Sequence, residues 1–162
     1  MIRPVRPSDA ASIADIYNHY IENTVVTFEC EPIDAATIQA RIEKTTTNFP
    51  YLCFVDPKSE ELMGYAYAGP WRERIAFRFT VETSIYVRDG HKRQGIGRRL
   101  AEELFQQLRD RKIRNVIASI ATPNEASIAS HKAFGFSQIG VFPNVGFKFD
   151  RWIDVEFWQL EL

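Results

Sequence analysis

The sequence predicts an α/β sandwich, a mixed and mostly antiparallel sheet flanked by helices, and three observations carry that prediction. Residues 77–87 alternate: Phe77, Phe79, Val81, Ile85 and Val87 form an apolar row around Thr83, while Arg78, Thr80, Glu82, Ser84 and Tyr86 point the other way, the period of a half-buried strand. A helix at 97–111 and a strand at 115–121 follow; strand, helix and strand within ~40 residues make a βαβ unit, right-handed by default. Near the start, Ile13, Ile16, Tyr17, Tyr20 and Ile21 recur as one helical apolar stripe.

The remaining elements follow in order. Residues 1–6 begin a short strand that Pro4 and Pro7 confine to an edge or an early stop, and Ser8 or Asp9 caps the first helix. A second helix starts at Asp34, where Ile33 and Ile38 hold the two positions of a hydrophobic staple, and the polar stretch 44–48 ends it. Residues 51–55 read as a buried strand, 56–59 as a turn and 62–68 as the antiparallel partner. Ile96, Leu100, Leu104 and Leu108 at intervals of four set the third helix, and the apolar run at 116–120 suits a central parallel strand. Residues 124–134 form a short helix closed by Gly135, and 136–142 and 149–160 are the final strands. The order is βααβββαβαββ, a single domain over residues 1–162.

Composition narrows the function classes. The 162 residues carry 20 Lys+Arg against 21 Asp+Glu, a net charge of −1, which argues against a surface built for nucleic acid or anionic membrane. The balance is a cancellation: residues 88–114 hold nine basic and four acidic side chains, a local +5, which leaves −6 for the other 135 residues. No apolar stretch approaches the ~20 residues of a spanning helix. Met1-Ile2-Arg3-Pro4 has no apolar leader, and Cys30 and Cys53 form no CxxC pair, so a reducing cytoplasm is expected. His19, His91 and His131 share no i, i+4 spacing with each other or with Cys, and no metal is expected.

The basic stretch surrounds His91-Lys92-Arg93-Gln94-Gly95-Ile96-Gly97-Arg98-Arg99, between a strand and a helix. Exposed N–H groups and the positive helix end make such a turn an anion site that glycines let a phosphate approach. Gly90 to Gly95 has Walker A spacing, but Ile96 and Gly97 stand where Lys and Ser/Thr are required, which disfavours a nucleoside triphosphate. Leu100 occupies the third glycine position of a dinucleotide fingerprint. The glycines alone could also serve only a tight turn.

The loop resembles motif A of the GNAT acetyltransferase superfamily, a Gln/Arg-x-x-Gly-x-Gly/Ala segment that holds the pyrophosphate of acetyl-CoA through backbone amides. Lys92, Gly95 and Gly97 take those positions, Lys92 keeping an arginine's charge without its planar fork. Asn124, His131 and Gly135-Phe136 match the second family signature, with His131 where a Tyr is common. Residues 80–87, Gly69-Pro70-Trp71-Arg72, Ile16-Tyr17-Asn18 and the tail 145–154 are similar to segments of the phosphinothricin and methionine sulfoximine acetyltransferase branch, so the resemblance covers essentially the whole chain. It implies acetyl-CoA as cosubstrate, held by Ile85, Tyr86, Val87, Arg93, Gln94, Gly95, Ile96, Gly97, Arg98 and Asn124. A small-molecule amine is the implied acceptor, contacted by Arg72, Glu73, Arg74, Glu82, Thr83 and Ser84, and a homodimer is the implied assembly.

The chemistry asks for groups the residues supply. An ammonium cannot attack a thioester until it is deprotonated, and a carboxylate in a desolvated cleft is a plausible base. Read alone, Glu82 is an exposed strand carboxylate paired with Arg78; the resemblance makes it the general base. The family's oxyanion donor, a backbone N–H where this strand splays, falls at Val87. His131 either protonates the departing sulfur or orients Glu82 or a water. Arg72, Arg74 and Arg78 offer forks for an amino-acid carboxylate or are solvated loop charges. Lys148, Trp152 and Asp154 would shape the pocket or a dimer contact, while Trp152 and Trp158 read as packing. The expected reaction is acetylation of a small amino acid of the phosphinothricin or methionine sulfoximine type. Alternatives are a polyamine, aminoglycoside or protein N-terminus as acceptor, a non-catalytic CoA-binding module, and a nucleic-acid module, which lacks the aromatic-basic interleaving it would need.

Overall fold

In the computed structural model, which describes residues 1–162, seven strands form one sheet in the order β1-β2-β3-β4-β5-β7-β6. The elements are β1 (Ile2–Pro4), α1 (Ala10–Asn23), α2 (Ala35–Thr46), β2 (Tyr51–Val55), β3 (Leu62–Pro70), β4 (Thr80–Val87), α3 (Ile96–Asp110), β5 (Asn115–Ala121), α4 (Glu125–Ala133), β6 (Ser137–Lys148) and β7 (Arg151–Glu161). Only β4 and β5 run parallel, joined by α3 as the βαβ unit. Every other neighbouring pair is antiparallel.

Period-two alternation divides the core between the two faces. Leu52, Ala66, Ala68, Val81, Val116 and Ala118 pack with Leu100, Leu104 and Leu108 of α3. Tyr51, Cys53, Tyr65 and Tyr86 pack with Ile13, Ile16 and Ile21 of α1 and Ile38 and Ile42 of α2. Cys53 is fully buried and its thiol is pushed up to about 12 by that burial and by Asp9, which makes it inert. α2 begins as its composition requires, with the Asp34 carboxylate accepting from the Thr37 N–H at 2.8 Å.

Three expectations are corrected. The fourth strand starts at Thr80, because residues 75–77 form a 3₁₀ turn and Phe77 and Phe79 are exposed; alternation of residue type here is not alternation of burial. Asp9 does not cap α1. Its carboxylate accepts from the Arg6 N–H at 2.7 Å and takes both Arg3 nitrogens at 2.7 and 2.8 Å, fastening a 3₁₀ turn at Pro7–Asp9 to β1. The last strands form one long hairpin interrupted by bulges; Trp158 packs in the core, but Trp152 is 63% exposed on its surface beside Phe147.

Asp9 supplies a pH test of stability. Burial acts to raise its carboxyl, but the Arg3 and Arg6 bonds outweigh burial and hold it below the ordinary range. Its contribution is therefore complete above the unfolded value near ~4 and is lost as pH falls through the lower folded value. Asp9→Asn is expected to cost about 2 kcal/mol at pH 7, a fall of ~4–8 °C in melting temperature. The difference from wild type should shrink in acid; an equal difference at pH 7 and pH 3 would refute the linkage.

Candidate active site

The glycine loop sits at the one seam of the sheet. β4 and β5 pair only at Thr80–Asn115, Val81–Val116 and Glu82–Ile117; beyond that point β4 stays with β3 as far as Val87, and β5 stays with β7 as far as Ala121. The split opens a cleft of about 610 Å³, walled by Thr83 to Val87, Ala118 to Ile120, the start of α3 and one side of α4.

The mouth of this cleft is built for an anion. Gly90, Arg93 and Gly95 have φ of +79°, +64° and +76°, the left-handed region that Gly adopts without strain. They turn the chain into α3, which Gly95 starts without any side-chain cap. Arg99 is the first residue of that end to find a backbone partner, the Gly95 carbonyl at 3.0 Å, so the N–H groups of Ile96, Gly97 and Arg98 are left for a ligand. Lys92, Arg93 and Arg98 stand around them. Gly64, on β3 beneath, lets the helix start approach: a Cβ there would lie 2.9 Å from the Tyr86 carbonyl oxygen and 3.2 Å from Ile96 Cγ2. Uncapped amides, three cations and a long backbone-lined groove suit a diphosphate followed by an extended arm.

Most of the expected cofactor residues meet here. Ile85, Tyr86, Val87, Arg93, Gly95, Ile96, Gly97, Arg98 and Asn124 all line the cleft; Gln94 is exposed and does not. Asn124 caps α4, its side-chain oxygen accepting from the Ser127 N–H at 3.2 Å. His131 also lines the cleft, edge-on to Phe136. Its Nδ1 lies 2.8 Å from the Ser127 carbonyl oxygen, which can only accept, so Nδ1 carries the proton. Burial lowers the imidazole below its ordinary value, and at neutral pH Nε2 therefore presents a lone pair. The Val87 N–H lies 3.3 Å from the Tyr20 hydroxyl, which itself donates to the Val87 carbonyl at 2.7 Å.

Glu82 occupies the other face. It is the last β4 residue to pair with β5, on the α1/α2 side of the sheet with Ser84 and Tyr86. The Ser119 hydroxyl donates to its Oε1 at 2.5 Å. The alternative pairing with Arg78 is not formed: Arg78 donates to the Ile75 carbonyl and stacks on Phe79. Arg72, Glu73 and Arg74 lie on the exposed loop after β3, Arg72 over the Trp71 ring, and the Glu82 carboxylate is bonded to Ser119 and not to any of the arginines at 72, 74 and 78. Thr83 and Ser84 line the cleft.

Ser119, Tyr20 and Phe28 escape the sequence reading, and Lys148, expected to shape the pocket or a dimer contact, has a packing partner as well. Ser119 had a signal, being the one polar residue in the apolar run 116–120. Tyr20 looked like plain core. Phe28 lies so close over Gly146 that a Cβ there would clash with its ring, and the buried Lys148 donates to the Thr27 carbonyl at 2.9 Å. The last two strap the α1–α2 connection to the hairpin. Asp154 accepts from the Asn144 N–H, which orders that hairpin.

A cleft with an anion-binding mouth where β4 and β5 part suits a transferase that takes an elongated phosphorylated donor. Residues 2–157 match the acetyltransferase (GNAT) domain, and the chain belongs to that family, an acetyl-CoA:amine N-acetyltransferase by class. It is 37% identical to a phosphinothricin N-acetyltransferase of Streptomyces viridochromogenes, over 98% of this chain and 85% of that protein. It is 38% identical to an L-methionine sulfoximine/L-methionine sulfone acetyltransferase of Pseudomonas aeruginosa, over 99% and 94%. The crystal structure of a GNAT phosphinothricin acetyltransferase from Sinorhizobium meliloti in complex with AcCoA superposes with a TM-score of 0.96 at 37% identity, covering 100% of this chain and 88% of that one.

Proposed function

We propose that the protein transfers the acetyl group of acetyl-CoA to the amino group of a small amino acid of the phosphinothricin or methionine sulfoximine type, by direct attack on the thioester, with Glu82 as general base. The observation that carries this reading is the position of Glu82 at the last rung before the sheet parts, on the face opposite α3. Acyl donor and amine then meet in the split without competing for space. The Ser119 bond orients the carboxylate and leaves its second oxygen for the ammonium proton. The Val87 N–H is the oxyanion donor; its bond to Tyr20, at 3.3 Å, is longer than a good N–H···O contact and gives way to a charged acceptor. His131 receives a proton at Nε2 before it delivers one to sulfur, since its other nitrogen is committed to Ser127.

The test is a panel of α-amino acids, a polyamine and an aminoglycoside incubated with acetyl-CoA while free thiol is followed. Turnover is expected with the amino acids, and none above hydrolysis would overturn the acceptor class. The unpaired Cys30 and Cys53 fit a reducing, cytoplasmic compartment.

Assembly is part of the same proposal. β6 is an edge strand, and Ile139, Val141, Phe142, Val145, Phe147 and Trp152 are exposed on the hairpin. So much uncovered apolar surface on one element favours a homodimer through this hairpin. Trp152→Glu is expected to turn a dimer into a monomer in sedimentation equilibrium; an unchanged mass would remove the hairpin from the interface.

A further inference from the structure

We propose that Tyr20 sets the affinity for the donor by competing with it: in the free protein its hydroxyl occupies the two main-chain groups of Val87 that the donor must take, so binding has to expel it. The proposal rests on the acetyl-transfer reading, in which Val87 meets the donor, and adds the group that holds Val87 beforehand.

The ladder fixes which way Val87 faces. The Arg88 N–H donates to the Met63 carbonyl at 2.8 Å, one step beyond the Gly64–Val87 pair, so that pair exchanges no bonds of its own. The Val87 N–H and C=O therefore point away from β3 and into the split, and Ile85, two residues earlier, has the same phase. Beyond Glu82 no strand of the sheet lies there to receive them. An open strand edge is a template for an extended ligand, and a donor arm that carries amides continues the ladder.

At Val87 that edge already has a partner. The Tyr20 hydroxyl donates to the carbonyl at 2.7 Å and accepts from the N–H at 3.3 Å, one side-chain oxygen serving both groups. Tyr20 belongs to α1, is 8% exposed and lines the donor cleft. Burial pushes its phenol up against the opposing effects of the Val87 bond and Lys92, which keeps in place the proton it donates. A carbonyl can accept a second bond, but the N–H has only one to give, and a ligand gains it only when Tyr20 withdraws. The same side chain reaches the cleft mouth, where Lys92 Nζ lies 5.3 Å from the centre of the Tyr20 ring, within cation–π range. A diphosphate at the mouth competes for that ammonium and so loosens Tyr20 from its outer side.

The experiment is calorimetric titration of wild type and Tyr20→Phe with CoA, with acetyl-CoA and with adenosine 3′-phosphate 5′-diphosphate, which keeps the diphosphate and lacks the arm. Phe preserves the ring contact with Tyr86, and water replaces the hydroxyl at Val87. Displacing water spares the net worth of the intramolecular bond, so acetyl-CoA is expected to bind Tyr20→Phe about three- to tenfold more tightly, with the armless nucleotide unaltered. A side chain that only supports the fold would give the opposite sign. Tyr17→Phe removes another bonded hydroxyl of α1 and should leave donor binding unchanged. Weaker binding to Tyr20→Phe would make Tyr20 a contact of the bound donor, unchanged binding would leave it as packing, and tighter binding of the armless nucleotide would move the effect to the mouth; each overturns the proposal while leaving acetyl transfer in place. Tightening of acetyl-CoA alone supports the competition with the acyl oxygen at Val87. Tightening of CoA as well supports it with the arm there, and removes Val87 as the oxyanion donor. The titration needs no acceptor, so absence of turnover with every amine would overturn the functional reading without touching this result.

Discussion

Glu82→Gln is expected to lower kcat by ~10²-fold or more at neutral pH, the usual contribution of a positioned general base. The amide matches the carboxylate in shape and still accepts from Ser119, so the fold and the seam at Glu82–Ile117 should persist. What disappears is the capacity to take a proton. KM for acetyl-CoA should stay near wild type, because Glu82 is not among the residues walling the donor cleft. The loss should diminish at high pH, where more of the amine is already deprotonated. Stopped-flow measurement of thiol release from pH 6 to 10 checks both points, and a variant with wild-type rate and pH profile would place the base elsewhere.

Gly95→Val acts on the other substrate and in the other parameter. At φ +76° a β-branched residue is strained by roughly 1–2 kcal/mol, although no neighbour lies within 4 Å of the missing Cβ. The strain rotates the first amides of α3 away from the position that a phosphate requires. An increase in KM for acetyl-CoA of ~10–30-fold is expected, with kcat at saturation largely kept and the acceptor KM unaffected. Substitution at Gly97 has a different cause, since that residue faces Val87 Cγ2 at 3.6 Å and any branched side chain would press on the groove wall. A Gly95→Val enzyme with unaltered acetyl-CoA kinetics would show that the backbone turn does not set phosphate affinity.

The donor half of the site was legible in the sequence because it is local. Gly90, Gly95 and Gly97 lie within a few residues of Lys92, Arg93 and Arg98, and their conformations follow from the chemistry of a strand-to-helix turn. The surroundings of Glu82 were not, since they join β4 to Ser119 of β5, 37 residues away in the chain, and a lone serine in an apolar strand run does not announce which carboxylate it meets. The 3₁₀ turn at 75–77 shows the same limit from another side: Phe77 and Phe79 kept the alternation of a strand while standing in solvent. The arginines at 72, 74 and 78 looked like a cluster on spacing alone. Arg72 and Arg78 each rest on an adjacent ring, a contact that spacing does not predict.

The seam between β4 and β5 also has a mechanical meaning. Only three ladder pairs join the sub-sheet β1–β4 to the sub-sheet of β5, β7 and β6, and the donor cleft is the continuation of that join. An occupant of the cleft touches both sub-sheets at once and acts as a splint between them. Filling the cleft is therefore expected to stiffen the whole sheet, read as slower amide hydrogen exchange along β4 and β5 when CoA is bound.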